Sequence, residues 1–178
     1  TVTTDYPTLV YTLNSEGYAS QCVYSLSSQN RIYQFSYSAE GYLTGIVENI
    51  DNREYSSTSL TYENGDITSI SSKMNGLENK FIYEPGEESS TYHLPCLGLL
   101  EIHPLTFHIE ALYAGLLGKD PRHFTIRSCP AGSNDEKTIY SYEFDKKGNP
   151  SRMICQTTYA GGQASYYPYT RNISVSFE

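Results

Sequence analysis

Four histidines are the side chains of this sequence best suited to bind a metal ion or to move a proton. His93, His103, His108 and His123 fall within thirty-one residues, and Glu110 lies among them. Zinc needs three or four converging ligands, typically from tight spacings. His103 and His108 are five residues apart, which is not the i, i+4 spacing of two ligands on one helix face. The sequence therefore predicts no metal site and no cofactor.

A nucleophile for covalent catalysis is equally hard to find. Cys96 lies close to His93 in sequence, but nothing in the pattern orients the histidine as a base. The serines lack the Gly-x-Ser-x-Gly elbow. We therefore predict no catalytic residues and no enzyme activity. The alternative is a hydrolase that uses the histidine-bearing segment, with His103 and His108 as the residues to test.

Tyrosines near the C-terminus are the candidate ligand-binding residues. They lie in a stretch that also contains glycine and proline. Exposed tyrosines on such a loop can stack on sugars or peptides. They can also belong to a long hairpin loop and fold back over the sheet edge. The candidates are Tyr159, Tyr166, Tyr167 and Tyr169.

The charge of the chain limits its partners. Its 178 residues carry a formal net charge of −8, with 12 Lys and Arg against 20 Asp and Glu. Nucleic acid favours clustered Lys and Arg, and anionic lipid does so equally. Neither partner is expected, because no basic cluster stands out. Ser, Thr, Asn and Tyr dominate the polar positions, a composition that is common in proteins that work outside the cytoplasm.

A repeat of 24 residues shows how the elements that carry these side chains are built. Gly17, Gly41 and Gly65 are evenly spaced, and each follows a stretch of alternating apolar and polar residues. Alternation with a period of two places one set on each face of a strand. The glycines predict the turns that reverse antiparallel pairs. Apolar residues return two and five positions after each glycine. This odd step predicts either a bulge or a strand that begins only after the turn relaxes.

The alternation stops between residues 94 and 130. Pro104 suits a first helical position, and Leu105, Ile109, Leu112 and Leu116 follow with helical spacing. The pattern predicts one amphipathic helix over residues 104–117. A sheet with one apolar face needs a cover, and we expect this helix to provide it.

These patterns predict a single domain over residues 1–178. Tandem hairpin repeats occupy 9–86, a helical insertion occupies 94–130, and a C-terminal hairpin with the last strand occupies 138–178. The predicted fold class is mainly β, in the broader α+β group: a curved antiparallel β-meander of tandem hairpins packed on one inserted α-helix.

Four cysteines leave two interpretations open. Cys96 and Cys129 flank the insertion, and a disulfide between them would staple it. Buried thiols that pack as small apolar groups are the other interpretation.

Two motifs carry a resemblance to a known family. Tyr113-Ala-Gly-Leu-Leu-Gly-Lys119 precedes Pro121, and Tyr142-Glu-Phe-Asp-Lys-Lys-Gly-Asn-Pro150 follows in the next hairpin. With the repeats, which resemble tyrosine–aspartate repeats, they make the chain from about residue 9 to 155 similar to the DUF4595 family of Bacteroidetes proteins. The resemblance implies a lipoprotein exported to the periplasm or the outer-membrane surface, with a signal peptide and a lipidated cysteine upstream of Thr1. It implies no catalytic residues.

The expected function is that of an extracytoplasmic binding or scaffold module of a bacterial envelope lipoprotein. Its partner would be a glycan or an envelope protein, and its only membrane contact would be the lipid anchor. Glycan binding through exposed tyrosines is the alternative within the same class.

Overall fold

The fold is an open antiparallel sheet of eleven strands in sequence order, from β1 to β11. The computed structural model describes residues 8–26, 29–89, 102–133, 135–147, 150–158 and 169–174. The strands are β1 Thr8–Leu13, β2 Ala19–Leu26, β3 Gln29–Tyr37, β4 Leu43–Ile50, β5 Arg53–Glu63, β6 Asp66–Met74, β7 Leu77–Ser89, β8 His123–Pro130, β9 Lys137–Phe144, β10 Pro150–Thr158 and β11 Tyr169–Ser174. The predicted antiparallel meander is therefore confirmed.

Alternation within the repeats decides which side chains are buried. In β3, Tyr33 and Phe35 are buried, whereas Gln34 and Ser36, which alternate with them, are exposed. The strand register shifts near the predicted turns, for example between Ser36 and Tyr37 where β3 meets β4. Equivalent shifts occur in the β1–β2, β5–β6 and β9–β10 pairs. The odd apolar step after each of these turns thus coincides with a shift of the strand register, as a bulge would produce.

The helix predicted over residues 104–117 is wrong. The structure has a 3₁₀ turn at Leu105–Phe107 and a short α-helix, α1, at Ile109–Tyr113. His108 separates them with φ −122° and ψ 27°, outside helical geometry. In the described part of the chain, no helix is long and apolar enough to cross a membrane.

The sheet packs on a compact segment over residues 102–122, and not on an amphipathic helix. This segment (hereafter the insert) contributes Ile102, Leu105, Ala111, Leu112 and Leu117 to the main core. That core also contains buried side chains of β2 to β7, among them Phe35 and Ile46. A second, smaller cluster consists of Tyr140, Met153 and Cys155. The predicted insertion of residues 94–130 includes β8, which belongs to the sheet. Within the described residues, the portion of the insertion that lies outside the sheet therefore ends before His123.

Main-chain hydrogen bonds fasten the end of the insert to three successive hairpins. The N–H of Ala19, beside the first turn, donates to the carbonyl of Leu116 at 2.7 Å. The N–H groups of Lys119 and Arg122 donate to the carbonyls of Gly41 and Gly65 at 2.9 and 3.0 Å. The segment from Leu116 to Arg122 therefore crosses the ends of the hairpins and contacts one at every third residue.

The length of chain between the last two contacts matches the width of one hairpin. Three residues of extended chain reach at most about 10 Å, and one hairpin of two strands is about 9.6 Å wide. The three-residue step from Lys119 to Arg122 is therefore just long enough to pass from the Gly41 turn to the Gly65 turn.

The cysteines are thiols where the structure describes them. Cys22 and Cys155 are buried and Cys129 is half-buried. The bridge considered between Cys96 and Cys129 cannot be followed in the structure from both of its ends. Cys96 itself lies outside the described residues.

Candidate functional site

A cavity of about 570 Å³ lies beside the insert, on the face of the sheet that carries the core. Strands β6 to β10 form its floor, and Ile102 and His103 of the insert form one wall. The strand register places its floor residues on one face. Tyr83 is opposite Ser128, Ser128 is opposite Thr138, and Thr138 is opposite Thr157. The cavity therefore occupies the part of this face between the two apolar clusters.

Apolar and aromatic side chains supply much of the lining. Tyr83 and Tyr140 are buried at its base, and Phe81 is half-buried. Leu77, in contrast, is 73% exposed at the rim. A pocket with an apolar, aromatic base is the usual form of a small-molecule site.

Hydroxyl and amide groups surround this base. The Ser128 and Tyr140 hydroxyl oxygens lie 2.9 Å apart, as do those of Thr138 and Thr157. The side chain of Asn79 is exposed at the cavity. These groups can both donate and accept hydrogen bonds, so the lining suits a ligand that carries many hydroxyls.

His103 links the cavity to a buried carboxylate. Its Nε2 atom lies 2.6 Å from Glu48 Oε2, and the Ser56 hydroxyl donates to the same oxygen at 2.8 Å. Arg31 Nη1 donates to Glu48 Oε1 at 3.2 Å. Burial alone would raise the pKa of the Glu48 carboxyl, but the hydrogen bonds with His103 and Ser56 outweigh it and the pKa is lowered. The carboxylate therefore remains ionised and orients the His103 ring.

The hydroxyls of Thr58 and Ser72 hold the His103 backbone. They donate to its carbonyl oxygen at 3.1 and 3.2 Å. Together with the Glu48 contact, these bonds fix both the main chain and the ring of this residue. The wall of the cavity is thus held in place before any ligand binds.

His108 is the most buried of the described histidines. Its side chain is inaccessible to solvent, and its Nδ1 atom lies 2.7 Å from the Tyr11 hydroxyl. The ring packs edge-to-face on Tyr33 with 4.4 Å between centroids. Burial lowers the pKa of His108 to about 4. It is a neutral core residue that joins the insert to β1 and β3.

The three described histidine rings contact two carboxylates and one tyrosine hydroxyl. His103 and His123 contact the carboxylates of Glu48 and Asp66, and His108 contacts a tyrosine hydroxyl. Ser56 and His103 both bond to Glu48. The carboxylate therefore occupies the middle position, which the histidine holds in a catalytic triad. Across the described residues, no group of three or more His, Cys, Asp or Glu side chains could hold a metal ion.

The candidate tyrosines of the C-terminal stretch are only partly placed. Tyr159, Tyr166 and Tyr167 lie outside the described residues. Tyr169 is the first residue of β11, and its backbone lies opposite Thr157, which lines the cavity.

The sequence predicts neither the cavity nor the role of Glu48. The missed signal is Glu48 itself, a carboxylate two residues after buried Ile46 and hence on the core face of β4.

Comparisons with known proteins connect this fold to a described family. Residues 1–152 match the model of the "Domain of unknown function (DUF4595) with porin-like fold". A porin-like protein from Bacteroides uniformis ATCC 8492, known from its crystal structure, is similar to this chain with a TM-score of 0.85 and 26% sequence identity. The similarity covers 94% of this chain and 69% of that one. No curated protein matches the sequence.

Proposed function

Because this chain belongs to the DUF4595 family, we propose that it is a non-enzymatic binding module of a bacterial envelope lipoprotein. The similar protein from Bacteroides uniformis is described as porin-like, and this description supports a place in the cell envelope. The lipid anchor rests on the family resemblance. Its test is fractionation of the native host, where the protein would be found in the membrane fraction and would leave it when the lipidated cysteine is replaced.

The observation that carries the binding role is the cavity beside His103. Pockets of this size, with an apolar base and a few convergent polar groups, are the usual sites of small ligands. The bonds from Glu48, Thr58 and Ser72 hold the His103 wall in position. Preorganisation of this kind reduces the entropy that binding costs.

A neutral sugar is the ligand class that fits this lining best. A sugar ring presents C–H groups on its faces, which pack on aromatic rings such as Phe81 and Tyr140. Its rim presents hydroxyls, which would bond to Asn79, Thr138 and Thr157. Among the described residues of the lining, Glu136 is the one carboxylate, and its charge disfavours strongly anionic ligands here. Glycan binding is therefore retained as the specific form of the proposal, with the cavity as its site.

Asn79→Leu tests this role without disturbing the core. The substitution keeps the approximate volume of an exposed strand residue and removes its amide. Asn30→Leu is the matched control, because Asn30 is an exposed strand residue away from the cavity. We expect an array of neutral oligosaccharides to reveal a ligand, and calorimetry to show at least about a fivefold loss of affinity in Asn79→Leu alone.

Two results would contradict the cavity proposal. One is an array that shows no neutral ligand. The other is equal affinity of Asn79→Leu and Asn30→Leu for a ligand that does bind. A hydrolase would instead be revealed by turnover of polysaccharides or esters that His103→Ala abolishes, and we expect no such turnover.

A further inference from the structure

A second cavity lies at the turn end of the sheet, away from the His103 cavity. It measures about 630 Å³, and the side chains that define it are Tyr42, Tyr62, Lys119, Arg122, Asn64 and Ser38. The tyrosines come from the β3–β4 turn and β5, and the two basic residues come from the end of the insert. Two turns and a crossing segment thus meet at one place and form the cavity between them.

The tyrosines form a fixed aromatic surface. Tyr42 and Tyr62 are stacked, with ring centroids 4.9 Å apart and an angle of 28° between planes. Both rings are half-buried. Because each ring holds the other, little side-chain entropy would be lost when a ligand packs on them.

The two cations are held at fixed points of the backbone. The N–H groups of Lys119 and Arg122 donate to the carbonyls of Gly41 and Gly65. The stem of Arg122 lies against Gly65, where an added Cβ would come within 2.6 Å of its Cδ atom. Arg122 Nη1 also donates to the Asn64 carbonyl at 3.5 Å. Both positive charges are therefore presented to the same cavity in a chain whose net charge is −8.

The carboxylate of Glu40 offsets part of this positive charge. Glu40 also lines the cavity, and a hydrogen bond with Ser38, assisted by the charge of Lys119, lowers the pKa of its carboxyl. Lys119 and Arg122 against Glu40 leave one net positive charge. This balance suits a ligand with widely spaced single charges better than one with dense phosphates.

From this geometry we infer that the Tyr42–Tyr62 cavity binds a carboxylated sugar, as found in acidic polysaccharides. The sugar ring packs on the stacked tyrosines, and its carboxylate lies between Lys119 and Arg122. Arginine suits this role because its planar guanidinium can donate two parallel hydrogen bonds to a carboxylate. Ser38 and Asn64 are placed to bond to the ring hydroxyls. This site is separate from the neutral-sugar cavity, and neither inference depends on the other.

Trigalacturonate is the probe for this site. Calorimetry at about 50 mM salt should show binding to the wild-type protein, weakened as salt is raised. The double variant Lys119→Gln/Arg122→Gln should lose at least tenfold in affinity. The control Lys146→Gln/Arg152→Gln removes the same two charges elsewhere and should retain binding. Thermal unfolding of each variant shows that it remains folded.

Two further comparisons identify what is recognised. The methyl ester of trigalacturonate lacks the carboxylates and should bind at least tenfold more weakly. Asn79→Leu alters the other cavity and should leave trigalacturonate binding unchanged. The proposals for the two cavities can therefore be refuted separately. The inference is overturned if trigalacturonate does not bind, if the Lys119/Arg122 variant binds it normally, or if polyglutamate binds in its place.

Discussion

The Nε2 atom of His103 lies 2.6 Å from a carboxylate oxygen of Glu48, and this contact joins the insert to the middle of the sheet. Glu48 is fully buried on β4, whereas the His103 side chain remains 26% exposed at the cavity wall. A single pair of side chains thus connects a buried charge with a surface open to ligands. The stability of the fold and the shape of the cavity should consequently depend on the same carboxylate.

Replacing Glu48 with glutamine should destabilise the protein. Glu48→Gln keeps the shape of the side chain but removes the charge that pairs with His103 and Arg31. A hydrogen bond to a charged group contributes about 1.5–3 kcal/mol. Since the glutamine amide can still form hydrogen bonds at this position, we expect a net loss of about 2 kcal/mol in the free energy of unfolding. Urea unfolding measures it. Glu63→Gln, at an exposed position of β5, should change stability by less than about 0.5 kcal/mol, and an equal loss in both variants would refute the assignment.

Acid should weaken the fold through His108 as the pH falls below about 6.5. Burial lowers the pKa of His108 from its ordinary 6.5 to about 4. Between these values the unfolded chain binds a proton at His108 that the folded chain does not, so stability falls as pH falls. The largest contribution is about 3 kcal/mol. Below pH 4 this contribution is lost completely, and protonation of Glu48, whose pKa is also lowered, adds a further loss.

Unfolding in urea between pH 7 and pH 4 tests the role of His108. His108→Gln should flatten the pH dependence in this window, whatever its effect on stability at pH 7. A slope that persists in His108→Gln would assign it to other groups.

Alanine at position 118 should lower the free energy of unfolding, because Gly118 lies very close to the backbone of Gly41. Gly118 has φ +91°, and an added Cβ would lie 2.7 Å from the Gly41 carbonyl oxygen. Gly17 has a similar φ of +87° but open space around it. Both alanine variants should lose about 1–2 kcal/mol from the backbone conformation. Gly118→Ala should lose at least about 1 kcal/mol more, because the clash is with backbone. Equal losses in urea unfolding would contradict the close approach.

The Cys22 thiol should be unreactive in the folded protein. Burial raises its pKa to about 11, and thiols react through the thiolate. Alkylation at pH 8, followed by mass spectrometry of the peptides, should show Cys22 modified only after denaturation. Cys129, which is half-buried, should be modified earlier. Rapid labelling of Cys22 under native conditions would show that this part of the core opens readily.

The local features of the repeats could be predicted because short-range rules determine them. Tyr33 and Phe35 alternate with polar residues and are buried, and Asn64 and Gly65 have the positive φ of a tight hairpin turn. These features depend on residues only a few positions apart. The sequence is therefore a reliable guide to the hairpins and to the bulges beside their turns.

The insert was mispredicted because tertiary contacts override its helical pattern. Leu105 and Leu112 do face the core, as their spacing predicts, but His108 between them is also buried and bonds to Tyr11. That contact holds His108 outside helical geometry, and Gly115 with φ +69° follows soon after α1. Intrinsic propensity is a weak guide when a buried polar side chain needs a distant partner.

The cavities could not be predicted because distant segments form them. β7 and β8 are neighbours in the sheet but are separated by the whole insert in sequence. In the sequence, Lys119 and Arg122 look like ordinary surface charges. In the fold, the turns at Gly41 and Gly65 bring them beside two tyrosines. No spacing within a single segment encodes either arrangement.

The three-residue step from Leu116 to Arg122 limits how this architecture can change in length. Deleting one residue between Lys119 and Arg122 would leave the Gly65 carbonyl without its donor, since the chain could no longer reach across a hairpin. Inserting a further hairpin among these three would require about three extra residues in the crossing segment. Relatives that differ in the number of hairpins at this edge should therefore differ in this segment by multiples of three.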